Sequence, residues 1–180
     1  MQKLKFLKPA LPLTVISVII ALILAFVNSV TAERIALNTI IEKENAIKGI
    51  FPECATFESA DSSLFDSSVS DAGRVLDADG NVIGYYADIA PIGFKGEIGL
   101  IVGTDTEAKV VNVALLSASE TPGVGTKATD KTNLEKYGGL SLGEIDGVDT
   151  ITGATISSKA VRQGIKSAVN TVEAILKEGK

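Results

Sequence analysis

The chain has 180 residues, 46% hydrophobic and 22% charged, with mean hydropathy +0.30 and net charge −5; this suits one modest domain plus an extra segment and excludes disordered, collagen-like and disulfide-framed classes. It has no histidine and a single cysteine, Cys54, which excludes His-based acid–base and nucleophile systems, His-ligated metals or haem, an internal disulfide and a self-contained iron–sulfur cluster, so any redox chemistry falls to an organic cofactor or a partner. Lys3, Lys5 and Lys8 precede the first acidic residue, Glu33; taking those three from 17 basic residues leaves 14 against 22 acidic ones, a net −8 that has the wrong sign for a nucleic-acid surface.

The first element is a run of 24 uncharged residues, 9–32, whose core, 11–27, is nearly all Leu, Ile, Val, Ala and Phe. A membrane-spanning helix needs about 20 such residues. Pro9 and Pro12 sit at its start, where a missing N–H costs little. A cleavable signal peptide is the competing reading, with Val30-Thr31-Ala32 as the cleavage site, but the run is longer than the roughly 15 residues of a signal's apolar region. Three lysines before the run and none close after it predict an N-terminus inside and the acidic body outside the cytoplasm.

Residues 33–50 place Ile35, Ala36, Ile40, Ala46, Ile47 and Ile50 at mostly helical spacing, which predicts a juxtamembrane helix stopped by Pro52. Residues 53–72 are rich in Ser, Asp and Ala and read as a loop with a short helix. Residues 74–90 read as a β-hairpin turning at Asp79-Gly80-Asn81. A second pair, 98–102 and 110–116, turns around Asp105 to Ala108. Gly93, Gly96, Gly99 and Gly103 mark bends or close backbone approaches. Residues 157–177 carry Val161, Ile165, Ala168, Val169, Val172 and Leu176 as one apolar stripe, an amphipathic helix packing on the sheet. The outer part is therefore α+β: one domain with an antiparallel sheet and a C-terminal helix, without internal repeats.

Two loops concentrate functional chemistry. Glu120-Thr121-Pro122-Gly123-Val124-Gly125 follows a predicted strand, and Pro122-Gly123 suits the centre of a type II turn. It reads either as a structural turn or as a pocket wall, with Gly123 and Gly125 admitting backbone approach. The second loop, 149–158, is dense in hydroxyls and opens the final helix, where free N–H groups and the dipole favour an anion. Lys159, Arg162 and Lys166 lie in the first half of that helix and Glu173 and Glu178 near its end, an order that opposes the dipole. A phosphate at the helix start would account for that order; a capped helix with a solvated basic face is the alternative.

The segment Asp149 to Thr155, DTITGAT, resembles the D-x-x-(S/T)-G-A-T signature of the flavinylated FMN-binding domains. GFKGEIGLIVGTD at 93–105 and ETPGVG at 120–125 resemble the same family in order and spacing. With the N-terminal anchor, the resemblance covers nearly the whole chain and is greatest to the G subunits of Rnf-type electron-transport complexes. Val124 stands where the family usually has Leu, and Lys95 and Glu97 replace smaller or apolar residues. The resemblance implies FMN attached through its phosphate to the hydroxyl of Thr155, with Thr152, Gly153, Ala154, Ile156, Glu120, Thr121, Gly123 and Val124 around it. Asp149 would serve recognition by a separate Mg²⁺-dependent flavin transferase that uses FAD; with no histidine, no evident local base activates the threonine.

The implied domains are an N-terminal stretch and anchor (1–32), a juxtamembrane helix and loop (33–73) and an FMN-binding domain (74–180). The implied protein is an electron-relay subunit, not catalytic alone, of a ferredoxin:NAD oxidoreductase that moves Na⁺ or H⁺ across a bacterial or archaeal cytoplasmic membrane. Its partners would be the A, D and E membrane subunits. NAD binding by this chain is not implied, since no G-x-G-x-x-G follows a strand. The alternatives are an NqrC-like subunit of a sodium-pumping NADH:quinone reductase, a stand-alone flavoprotein reductase domain, and a non-catalytic anchored binding module.

Overall fold

The structure is a computed structural model that describes residues 7–178; Lys3 and Lys5 lie outside the described residues, as does the side chain of Lys8. The chain divides into two units, one up to Ile41 and one from Glu42. The first is made by helix α1 (Leu7–Ile50), which reaches a mean hydropathy of 2.6 and is long and apolar enough to cross a membrane. The few hydroxyls in it are turned back on the helix: Ser17 Oγ donates to the Leu13 carbonyl (2.9 Å) and Thr31 Oγ1 to that of Val27 (2.9 Å). Such bonds satisfy polar atoms that hydrocarbon would leave unpaired.

The second unit contains the last turns of α1, a five-stranded antiparallel sheet whose strands lie side by side in chain order, and a C-terminal helix. The strands are β1 (Thr56–Ser59), β2 (Val69–Leu76), β3 (Val82–Ile89), β4 (Ile98–Thr104) and β5 (Val110–Ala118). Both predicted pairs form and are closed by aspartates. Asp77 Oδ1 accepts from the N–H groups of Asp79 and Asn81, and Asp105 Oδ1 from those of Glu107 and Lys109. A short α2 (Lys131–Leu134) and several 3₁₀ turns fill residues 125–147, between β5 and α3 (Thr155–Glu178).

Period-two alternation gives the sheet two apolar faces. Tyr85, Ala87 and Ile89 of β3 and Leu100 and Val102 of β4 meet α3, whose Val161, Ile165, Ala168, Val169 and Val172 are fully buried. Ile175, which the expected stripe did not include, is buried, whereas Leu176, which it did, is only partly buried. On the other face Val75, Tyr86 and Ile101 pack against Ile47, Ile50 and Phe51 at the end of α1. The far edge of the Phe51 ring reaches Gly84 of β3 and Gly103 of β4, where no side chain could stand. A Cβ on Gly84 would come 2.6 Å from Phe51 Cε1, and one on Gly103 2.9 Å from Phe51 Cε2. A Cβ on Gly93 would meet Glu120 Oε1 at 2.0 Å, one on Gly96 the Ser119 Cβ at 2.8 Å, and one on Gly99 Ser117 Oγ at 2.7 Å.

Residues 53–72 carry a short helical turn, as expected, but also two strand segments that were not. They supply β1, a 3₁₀ turn at Ser62–Leu64 capped by Asp61, and the first part of β2. Pairing, not propensity, makes β1: Thr56 to Ser59 register on Leu76 to Gly73, and the absent Cβ of Gly73 admits the Glu58 carbonyl.

Candidate functional site

Three chain segments meet at one edge of the sheet. The β3–β4 connection folds as a tight turn in which the Gly93 N–H donates to the Gly96 carbonyl (2.8 Å) and Ile92 bridges Glu97. The loop after β5 turns at Pro122-Gly123, closed by the Val124 N–H to the Thr121 carbonyl (3.1 Å), with Gly123 at φ +72°. The third segment is the entry to α3. There Gly153 takes φ +85°, the Ala154 N–H donates to the Ile151 carbonyl (2.9 Å), and Ser158 Oγ accepts from the Ile151 N–H (3.2 Å). These bonds fix the backbone so that Thr155 opens the helix with its side chain exposed.

Between these segments lies a cleft of about 400 Å³, within the size range of small-molecule sites. Its walls are chiefly apolar. Phe94 is 71% exposed, Val124 49% and Ile156 55%, an unusual density of uncovered large side chains around one concavity. Glu120 lies at the bottom, 5% exposed, and its Oε1 accepts from the Phe94 N–H at 2.6 Å. Ser157 is 1% exposed on the opposite side. The first turn of a helix leaves backbone N–H groups without intrahelical partners, so the α3 entrance favours an anion beside Thr155. The cleft can thus hold a flat apolar group by its walls and an anionic group at the helix start. Among the described residues no cluster of His, Cys, Asp or Glu could hold a metal ion.

Of the predicted site residues, Glu120, Thr121, Val124, Gly153, Ala154, Thr155 and Ile156 line this cleft. Thr152 and Gly123 are exposed turn residues outside its lining. Gly123 has a left-handed φ that favours glycine and open space where a Cβ would stand. Gly125 does make a close approach, to Glu120. Asp149 is exposed on a separate depression with Lys136, Leu140 and Glu144. Phe94 and Ser157 join the cleft without having been expected there. An aromatic residue inside a glycine turn is the available signal for Phe94; Ser157 is one hydroxyl among several.

The charge order of α3 has another cause besides an anion. Arg162 Nη1 donates to the carbonyls of Asp146 (3.2 Å) and Val148 (3.1 Å), and Lys166 Nζ meets Asp146 Oδ2 at 2.6 Å. The Lys166 hydrogen bond holds the Asp146 carboxyl below the usual carboxylate range. Two of the three cations therefore anchor the 145–148 turn to the helix, and Lys159 alone stays exposed near its start.

Residues 93–170 match the FMN-binding domain family. Over nearly its whole length the chain is similar to the G subunit of the ion-translocating oxidoreductase complex of Methanosarcina acetivorans, at 31% identity over 93% of this chain and 94% of that one. It is also similar to the G subunit of the Na(+)-translocating ferredoxin:NAD(+) oxidoreductase complex of Acetobacterium woodii, at 28% identity over 94% and 93%. Among solved structures, NqrC of Shewanella oneidensis shares the fold at a TM-score of 0.50 and 16% identity, over 71% of this chain and 72% of that one.

Proposed function

Because the chain belongs to the family of G subunits of ion-translocating oxidoreductase complexes, we propose that it is a membrane-anchored flavoprotein subunit relaying electrons through FMN in an Rnf-type ferredoxin:NAD oxidoreductase. The observation that carries this reading is the cleft itself. The matched FMN-binding region, 93–170, contains every residue that lines it, from Phe94 to Ser157.

The residues fit the group. Phe94, Val124 and Ile156 present apolar surface to a planar ring. The α3 entrance presents N–H groups and a positive dipole end to a phosphate. Thr155 presents its hydroxyl where that phosphate would sit, and Gly153 and Ala154 beside it carry no bulk to obstruct a modifying enzyme. Flavin, when bound, supplies one- and two-electron transfer that no side chain of this protein can provide. The chain's own work is to hold the ring, exclude water from one side and fix the distance to partner centres.

In this reading Thr155 Oγ1 forms a phosphoester bond as the pyrophosphate of FAD breaks and AMP leaves. A separate flavin transferase makes that bond, recognising the exposed Asp149 segment. Helix α1 anchors the subunit in a cytoplasmic membrane with its N-terminus inside, and the FMN domain works on the outer side beside membrane subunits of types A, D and E. Intact mass and in-gel fluorescence after denaturation test the attachment. The wild-type chain made with a transferase should be heavier by one FMN less one water and fluorescent, and Thr155→Val should be neither. Full fluorescence in Thr155→Val would refute the assignment.

A further inference from the structure

Three buried side-chain polar atoms among the described residues have no hydrogen-bond partner: Thr104 Oγ1, Glu120 Oε2 and Ser157 Oγ. Buried polar atoms are almost always paired, so each one needs a reason. Two of the three belong to residues that line the same cleft.

Glu120 is held in an unusual seat. A Cβ on Gly93 would fall 2.0 Å from its Oε1, and a Cβ on Gly125 would fall 2.2 Å from its Oε2. The carboxylate thus occupies the space of two missing side chains, one on each loop that walls the cleft. Its protein donors are all on one oxygen: the Phe94 N–H at 2.6 Å and the Lys95 N–H at 3.4 Å both reach Oε1. A carboxylate only accepts, so the partner missing at Oε2 is a donor.

We propose that Glu120 is the positioning residue of the cleft. One oxygen ties the 93–96 turn to the 120–125 loop, and the other is kept free to accept from an N–H or O–H of the bound flavin. The ligand half of this rests on the FMN reading above. Oxidised flavin carries two kinds of such donor, the imide N–H of the ring and the hydroxyls of the ribityl chain.

The test uses the full chain in detergent, with and without covalent flavin. Glu120→Gln keeps the size and one accepting oxygen for Phe94 but sets an NH₂ donor where Oε2 stood, so donor faces donor. Among molecules matched for flavin content, the rise in Tm on loading should be largely lost and the visible circular dichroism should fall towards that of free FMN. Equal Tm gain and equal dichroism in wild type and Glu120→Gln would overturn the ligand half. Loading with N3-methylated flavin separates the donors: loss of the Tm gain in wild type assigns the imide, and retention assigns the ribityl hydroxyls. If the wild-type chain carries no flavin at all, the FMN reading fails and the ligand half fails with it.

The tie between loops is tested without flavin. Gly93→Ala meets the far ends of two side chains, Glu120 Oε1 at 2.0 Å and Ile98 Cδ1 at 2.9 Å; the carboxylate has the greater overlap and is pushed off the Phe94 N–H. It should lower Tm in the wild-type background, and most of that loss should vanish in Glu120→Ala. Additive losses would overturn the tie.

Discussion

Lys43→Met should destabilise the second unit by about 2–3 kcal/mol, more through the carboxylates it strands than through any loss of packing. Lys43 Nζ contacts Asp71 Oδ2, lies 3.5 Å from Asp88 Oδ2, and stands 5.0 Å over the Tyr86 ring. Tyr86 donates its hydroxyl to Asp71 Oδ2 at 2.9 Å, and Ser59 adds a bond at 3.3 Å. The three charged side chains are 16%, 27% and 22% exposed. A unit charge at such a distance is worth roughly 5 kcal/mol at an effective dielectric of about 20. Screening and the ammonium's own desolvation take back about half of that. Removal of the cation then leaves two carboxylates facing each other, which restores part of the loss.

For a unit of this size the Tm should drop by about 6–12 °C. The sign of the pH dependence is fixed. Burial already pushes the Asp88 carboxyl above its ordinary range, with Asp71 and Glu97 adding to it and Lys43 opposing. Without Lys43 the rise is larger, so the deficit is full at neutral pH and shrinks as pH falls towards the ordinary carboxylate value of about 4. Thermal melts of wild type, Lys43→Met, Asp71→Asn and the double variant at two pH values measure it. A double variant as unstable as the sum of the singles, or a deficit unchanged on acidification, would refute the reasoning.

Ile165→Ala, at a fully buried position in the middle of α3, should cost about 2–5 kcal/mol in urea unfolding. A loss under about 1 kcal/mol would mean that α3 packs less tightly on the sheet than described. Gly123→Ala should cost about 1–2 kcal/mol because of its left-handed φ, with the flavin spectrum unchanged; a shifted spectrum would return Gly123 to the cleft. A reporter fused after Lys180 should be active only in its exported form, and activity of a cytoplasmic-type reporter there would reverse the proposed orientation.

The elements with strong periodicity were legible. The alternating hairpins and the apolar stripe of α3 name their own partners, because one period buries one face. Strand β1 was not legible: only Thr56 and Phe57 favour a strand, and its pairing depends on Gly73 some 16 residues on. The second face of the sheet was hidden for a related reason. Ile47 and Ile50 read as part of a juxtamembrane helix, and nothing local says that they pack onto Tyr86 and Ile101. At the cleft, the two loops could be read because each carries its own turn chemistry. Their joining through Glu120 could not, since it depends on a glycine 27 residues before that carboxylate. The basic residues of α3 misled in one respect, for Asp146 holds two of them from outside the helix.

The glycine floor under Phe51 constrains how this sequence can drift. Neither Gly84 nor Gly103 has a left-handed φ, so what selects glycine at both is crowding: the Thr104 carbonyl oxygen and the Phe51 ring at Gly84, Ile50 and the ring at Gly103. A methyl group at either position has to push the ring away by about 1 Å to reach an ordinary carbon–carbon separation, and a smaller residue at 51 leaves a hollow over two bare peptide units. A smaller residue at 51 does not free position 84, because the Thr104 carbonyl oxygen would still lie 2.5 Å from a Cβ there, nor position 103 by itself, because Ile50 Cγ2 would lie 2.5 Å away. Among relatives with this joint, glycine at the equivalent of 84 should persist even where the aromatic at 51 is lost, whereas a side chain at 103 should come with smaller residues at both 50 and 51. That second correlation would appear in an alignment as a triplet spanning more than 50 residues, anchored on no charge, no hydrogen bond and no cofactor.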